Sequence, residues 1–132
     1  MDEARYRTLI ADFCSQVGIA EPDEVIRSNH IEVGSTTVGL MPGTDVPDGD
    51  WLAVYIDLGP VFPNRDPGIH ERLLRANLEP RGDLAGSFGL HPATGNAVYH
   101  LPVAMPVTGA ALAGRLAGAL EQIGARFEAM NA

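Results

Sequence analysis

The stretch WLAVYIDLG, residues 51–59, contains the clearest strand pattern in the sequence and decides the fold class. Its side chains alternate between two faces, as side chains do in a β-strand. One face, which we expect to point into the core, consists of Leu52, Val54, Ile56 and Leu58. The other face combines two large aromatics with a carboxylate, and we expect it to be exposed. It consists of Trp51, Ala53, Tyr55 and Asp57.

Four further strands are predicted on either side of this stretch. HIEV at 30–33 and TTVGLM at 36–41 precede it and alternate apolar with polar residues. Two more strands are expected at about 83–90 and 96–103. Residues 42–50, PGTDVPDGD, have the composition of a loop.

Three helices are predicted from apolar periodicity and end signals. Residues 3–17 form one apolar stripe, and Gly18 is placed to end that helix. Asp66, followed by a proline, is expected to cap a short helix at about 67–77. The last helix is expected to begin near Thr108 and to be long enough to cross a whole sheet.

The predicted order of elements is therefore α-β-β-β-α-β-β-α. Runs of consecutive strands, rather than strict alternation of strands and helices, predict an α+β fold with a twisted, mostly antiparallel sheet packed by helices. The length of 132 residues fits a single domain, and we assign residues 1–132 to it.

The charge and composition of the chain disfavour nucleic acid and membranes as partners. The net charge is −8 and every one of the nine positive side chains is an arginine, so nucleic acid and anionic membranes are disfavoured, whereas a basic or weakly structured partner is favoured. The acidic start, MDEARYR, lacks the features of a secretory signal, and no apolar run is long enough to insert into a membrane. With a single cysteine and no internal disulfide, we predict a cytoplasmic protein.

The histidines are weak candidates for chemistry. A loop from Pro92 to Gly95 pairs His91 with Asn96, which puts His100 about 13 Å along the next strand, too far to share a zinc ion. Motifs of hydrolases, nucleotide-binding loops and metalloproteases are missing from the sequence. Cys14 lies on the apolar stripe of the first helix, where a buried structural thiol is expected. We therefore expect no enzyme, no cofactor and no metal.

Residues 73–130 resemble the type III secretion chaperones of the Tir chaperone (CesT-like) family. The matching features are a short helix with Leu73-Leu74 that closes at Asn77, a glycine-rich strand leading into FGLHPATG, an apolar strand, and a proline step into a final amphipathic helix. The upstream order of a helix and three strands also agrees, so the resemblance covers nearly the whole chain. The polar His91 and His100 in the late strands depart from the pattern.

The resemblance implies a homodimer without ATPase activity that binds the N-terminal, largely extended segment of a secreted effector and keeps it soluble and export-competent. Such a segment adds to a sheet edge and places apolar side chains in surface pockets. The candidate effector-binding residues, each of which could instead belong to the core, are Trp51, Tyr55, Val38, Leu40, Leu9 and Phe13. The candidate dimer-interface residues, which could instead only cover the sheet, are Ile69, Leu73 and Leu74.

Two other functions stay open at this point. The chain could be an α+β domain of the same shape that binds a protein outside secretion. Less consistent with the sequence is a small metal-binding enzyme that uses histidines and carboxylates.

Overall fold

In the computed structural model, which describes residues 1–43, 50–79 and 86–131, helices pack on one antiparallel sheet. The helices are α1 (Glu3–Val17), α2 (Pro22–Ser28), α3 (Ile69–Ala76) and α4 (Gly109–Met130). The strands are β1 (His30–Val33), β2 (Thr36–Gly43), β3 (Trp51–Gly59), β4 (Ser87–Leu90) and β5 (Ala97–Ala104). The α+β class predicted from the sequence is confirmed.

The sheet has the strand order β1-β2-β3-β5-β4, and every neighbouring pair is antiparallel. Strand β3 lies at its centre, and its facing is as predicted, because Leu52, Val54 and Ile56 are buried. The opposite face of the sheet, which we call the outer face, carries Tyr55 and the half-buried Trp51. One face of the sheet therefore packs on the helices, and the other is available to a partner.

Helix α1 has the ends that the sequence predicts. The Asp2 side chain accepts a hydrogen bond from the Arg5 amide at 2.8 Å, which caps the first turn. Gly18 ends the helix in the left-handed conformation with φ 81°, which glycine adopts without steric cost. The buried stripe consists of Tyr6, Leu9, Ile10, Phe13 and Cys14.

Helix α4 packs against α1 and β3 and is capped by Thr108, whose hydroxyl accepts a hydrogen bond from the Ala111 amide at 3.1 Å. At Gly109 the two helices approach closely, since a Cβ there would lie 2.5 Å from the Phe13 amide nitrogen. The Asp12 carboxylate accepts from the Gly109 amide at 2.6 Å and joins the helices at this point. In the described parts of the chain, no helix is both long enough and apolar enough to cross a membrane.

Several predicted boundaries were wrong. Pro22 does not only prevent α1 from continuing; it begins α2, which the sequence analysis missed. Helix α3 begins at Ile69 without a side-chain cap, because the Asp66 carboxylate pairs with Arg72 instead of an amide. Pro42 belongs to β2 rather than to a loop, since it pairs with Leu52.

Two of the predicted segments are only partly covered by the described residues. The remainder of the predicted loop at 44–49, and positions 83–85 of the predicted fourth strand, lie outside them. The described part of that strand begins at Ser87. The hairpin that follows it is as predicted, because the His91 amide donates to the Asn96 carbonyl at 2.8 Å.

Candidate functional site: an open sheet edge between two grooves

Strand β1 forms one edge of the sheet. The Ser28 hydroxyl contacts the outward carbonyl and amide of His30 at 3.2 Å and 3.4 Å, so the open part of this edge is at Glu32. The Leu40 amide donates to the Asn29 carbonyl at 2.8 Å, which fixes the phase of the β1–β2 ladder. In an antiparallel strand, the backbone N–H and C=O groups of successive residues point alternately towards the partner strand and away from it. Those of Ile31 therefore point towards β2, and those of Glu32 point outward. The amide and carbonyl of Glu32 therefore point to the open edge, where another strand can pair with them.

The opposite edge, β4, is closed at Phe88 by a side chain. The Phe88 amide donates to the Asn77 side-chain oxygen at 2.7 Å, and the Asn77 side-chain nitrogen donates to the Phe88 carbonyl at 3.3 Å. Asn77 ends α3, so this helix end imitates a neighbouring strand and occupies the outward backbone groups of Phe88, while Leu90 is the other outward-facing position of β4. Each edge therefore keeps one open backbone position, and β1 is the better place for an added strand because an apolar groove lies beside it.

An apolar groove of about 380 Å³ lies beside β1 on the helix side of the sheet. We call it the helix-side groove, and its lining is Phe13, Val17, Ile19, Ile31, Glu32, Val33, Gly34, Ala113, Leu116, Ala117 and Leu120. Val17 and Val33 are 44% and 41% exposed, which is high for valine and leaves apolar surface open at the rim. A strand added to β1 would direct every second side chain towards this groove.

A second groove, of about 730 Å³, crosses the outer face from β1 to the β4–β5 hairpin. We call it the outer-face groove, and its lining is Ser28, Asn29, His30, Glu32, Thr37, Gly39, Met41, Tyr55, Asp57, Leu90, His91, Pro92 and Val98. Its charged side chains are two carboxylates, and its remaining titratable groups are two histidines and a tyrosine. It is larger and more polar than the helix-side groove.

The floor of the outer-face groove is set by the strand register. His30 lies opposite Gly39, Gly39 opposite Tyr55, and Tyr55 opposite His100, so these four residues form one row across the sheet. The rings of Tyr55 and His100 stack, with their centroids 4.7 Å apart and their planes at 22°. Gly39 leaves its own position in this row without a side chain, and the Met41 methyl group borders that position.

The groove's carboxylates are held in place by neutral donors. The Thr37 hydroxyl donates to the Glu32 carboxylate at 2.9 Å. The Gly59 amide and the Asn96 side chain donate to Asp57 at 2.9 Å and 3.2 Å. Within the described ranges, neither carboxylate forms an ion pair, so both are open to a cationic partner in the groove.

The histidines and the cysteine have structural surroundings. One ring nitrogen of His91 accepts from the Ala93 amide at 3.1 Å and from the Thr94 amide at 3.3 Å, so this side chain stabilises the hairpin turn. Among the described residues, no group of three or more histidine, cysteine or acidic side chains is placed to hold a metal ion. Burial raises the pKa of the Cys14 thiol and keeps it protonated.

The structure separates the residues proposed to contact an effector. Tyr55 is 36% exposed and lines the outer-face groove, whereas Trp51 is half-buried on the same face. Val38 and Leu40 are fully buried in the core, and Leu9 is almost fully buried there. Phe13 is also buried, although its side of α1 lines the helix-side groove. Their effector-binding roles remain predictions, with Tyr55 the most accessible of the six.

The proposed dimer-interface residues also divide into two kinds. Ile69 and Leu73 are buried, so in the single chain they cover the sheet. Leu74 is 69% exposed, and Leu78 just beyond the helix is 91% exposed. Local periodicity does not reveal Leu78, Glu32 or the edge-closing role of Asn77, because these depend on which parts of the sheet and helices are covered.

The fold resembles that of a solved type III secretion chaperone. The chain superposes on SycH from Yersinia pestis, which was crystallised in complex with a stable fragment of YscM2. The match covers 89% of this chain and 95% of SycH, with a TM-score of 0.57 and 15% sequence identity. At this identity the likeness shows a shared fold. No family model matches the sequence, and a comparison with curated proteins gives no match.

Proposed function

We propose that the chain is a cytoplasmic type III secretion chaperone that binds an N-terminal segment of a secreted effector and keeps it export-competent without chemistry of its own. The observation that carries this proposal is the open β1 edge beside an apolar groove, on a fold shared with SycH. Membership of the Tir chaperone (CesT-like) family, suggested by residues 73–130, is part of the proposal.

The binding mode follows from the geometry of β1. An extended segment pairs with the outward amide and carbonyl of Glu32, and each such hydrogen bond adds about 0.5–1.5 kcal/mol. Alternate side chains enter the helix-side groove between Val17 and Val33, where a buried Leu or Val adds about 1.5–3 kcal/mol. Because β1 has only four residues, apolar side chains supply most of the affinity.

We further propose a homodimer that forms through the exposed end of α3. Leu74 and Leu78 place apolar surface in solvent there, and a second copy can cover it. Substitution Leu74→Glu is expected to leave folding intact, because the side chain is exposed, and to convert the protein to monomers in sedimentation velocity. A wild-type protein that sediments as a monomer at all concentrations would contradict the dimer.

The function is tested by pull-down of the tagged protein from secreting cells of its source organism, with bound proteins identified by mass spectrometry. We expect one secreted protein, held through a segment near its N-terminus. Two variants at one position test the site: Glu32→Pro removes the outward amide, which an edge strand tolerates, and Glu32→Ala keeps that amide. Capture should fall at least tenfold more in Glu32→Pro than in Glu32→Ala, as expected for a lost hydrogen bond and an obstructed edge.

Other outcomes separate the alternatives. Recovery of a partner that is not secreted would favour a binding domain outside secretion. Equal capture by both Glu32 variants would place the segment away from β1. Trp51→Ala adds an independent check, because we expect this half-buried outer-face residue to contribute more to partner capture than to folding; a loss of several kcal/mol of stability would instead place it in the core.

A further inference from the structure

The outer-face groove contains a slot with unusual chemistry for so acidic a protein. Its floor is Gly39, and the ring of Tyr55 stands beside it, supported from behind by His100 at 4.7 Å. A Cβ at Gly39 would lie 3.5 Å from the Tyr55 Cβ and 3.7 Å from both the Tyr55 Cδ2 and the Met41 Cε, which are ordinary contact distances. The slot therefore results from the missing side chain and is bordered by the Tyr55 ring and the Met41 methyl group.

The carboxylates lie in the row of residues next to this slot. Glu32 on β1 lies opposite Thr37 on β2. Val38 lies opposite Ile56 on β3, so the next residue pair in this register is Thr37 with Asp57. Glu32 and Asp57 therefore lie on either side of Thr37. Their Cα atoms are separated by two strand spacings, roughly 10 Å. A cationic group that enters between them meets two negative charges, both fixed by hydrogen bonds to neutral donors.

We propose that the outer-face groove binds an arginine side chain of the captured segment, with the guanidinium stacked against Tyr55 and paired with Glu32 and Asp57. The proposal rests on the proposed function, because it assigns the occupant of the groove to the part of the segment that continues from the β1 edge across the outer face. The groove's volume of about 730 Å³ exceeds that of one side chain and leaves room for extended backbone.

Charge and shape select arginine over other residues. An acidic side chain would be repelled by both carboxylates, and a purely apolar one would leave them desolvated without a partner. Lysine satisfies the charge but is a compact ammonium, whereas a planar guanidinium stacks on an aromatic ring and donates to two carboxylates at once. The protein's own arginines are absent from the groove lining, so the site is not filled internally by one of them in the described structure.

The test uses three synthetic peptides, acetyl-Val-Thr-X-Thr-Val-amide, in which X is arginine, lysine or citrulline. Citrulline has the shape of arginine without its charge. Each peptide is titrated into the ¹⁵N-labelled full chain and followed by NMR. We expect the arginine peptide to bind about tenfold more tightly than the citrulline peptide, as a charge-assisted contact predicts, with the largest shifts at Gly39 and Tyr55.

Matched variants locate the effect. Gly39→Val suits a strand and fills the slot, so the arginine peptide should bind about tenfold more weakly, whereas Gly89→Val, on the same sheet but outside the groove lining, should leave binding nearly unchanged. Asp57→Asn keeps the acceptor for Gly59 and should remove most of the preference for arginine over citrulline. The exposed Glu128→Gln is the control for net charge.

Results that overturn the arginine site can be distinguished from results that overturn the proposed function. Equal binding of the arginine and citrulline peptides, or no binding of either, overturns the inference even if the pull-down recovers a secreted effector. Equal weakening by Asp57→Asn and Glu128→Gln shows diffuse attraction to a chain of net charge −8 and also overturns it. If Gly39→Val alters sedimentation of the free protein, a second copy occupies the face and the inference fails. Failure of the pull-down alone, with arginine preference intact, rejects the secretion role and not the slot.

Discussion

Removal of the hydroxyl oxygen from each of the three tyrosines in turn should destabilise the fold at one position, stabilise it at another and have little effect at the third. Tyr6 is buried, and its hydroxyl donates to the Leu40 carbonyl while accepting from the Asn29 side chain at 2.9 Å. The Leu40 carbonyl depends on this bond, because the Asn29 amide that would otherwise face it donates to Val25 at the end of α2. Tyr6→Phe therefore leaves a buried carbonyl unsatisfied.

The expected loss for Tyr6→Phe is about 2–3 kcal/mol, from two hydrogen bonds and one stranded acceptor. Tyr99→Phe should have the opposite sign. The Tyr99 side chain is completely buried and packs edge-on against Phe88 at 4.9 Å, and its hydroxyl has no hydrogen-bond partner within the described structure. Removing an unsatisfied buried hydroxyl should stabilise the fold by about 1–2 kcal/mol while its ring stays in place.

Tyr55→Phe is the matched control, because its hydroxyl is on the exposed outer face and should be worth less than about 0.5 kcal/mol. Urea unfolding, monitored by far-UV circular dichroism at one protein concentration, gives the three free energies of unfolding. At about 4 °C per kcal/mol for a domain of this size, Tyr6→Phe should also lower Tm by roughly 8–12 °C. A Tyr99→Phe variant as unstable as Tyr6→Phe would refute the assignment of hydroxyl partners.

Two further predictions concern the closed edge and alkaline pH. Asn77→Ala should lower the free energy of unfolding by about 1–3 kcal/mol and promote further association through β4, because the Phe88 amide and carbonyl lose their partner. Urea unfolding and light scattering measure the two effects, and light scattering and stability equal to those of the wild type would contradict the closure. Burial raises the pKa of Tyr6 above 10.0 and that of Cys14 above 9.0. The unfolded chain therefore loses these protons first, and the free energy of unfolding should fall as pH rises past about 9. The fall should be smaller in Tyr6→Phe, and equal slopes of free energy against pH for wild type and variant would show that Tyr6 does not contribute.

Much of the fold was predictable because it depends on local periodicity. The alternation in residues 51–59 identified the central strand and its buried face, and Gly18 and Thr108 are end signals whose geometry depends on near neighbours. Helix α2 was missed because seven residues carry too short an apolar pattern, and its proline was interpreted only as an end signal.

The site was less predictable because it depends on contacts between distant residues. The sequence identified Tyr55 as an outer-face aromatic from alternation alone, which the structure confirms. It gave no indication that Gly39 lies between His30 and Tyr55, because strand register joins these residues across the sheet. Likewise, Val38 and Leu40 share one strand face, and the helix α1 that packs on β2 lies far from them in the sequence, so no local pattern distinguishes a covered face from an open one.

The open edge and its weakness have one origin at the junction of α2 and β1. Asn29 ends the helix in the left-handed conformation with φ 61°, and its amide is used to close the helix rather than to pair with β2. The strand therefore starts late and has only four residues, which leaves Glu32 as its main outward pairing position. A segment held there gains few backbone hydrogen bonds, so its retention depends on what its side chains find in the two adjoining grooves. Under the proposed function, selection by apolar and cationic side chains would let the site recognise a segment and still release it, which is the behaviour that a chaperone of exported proteins requires.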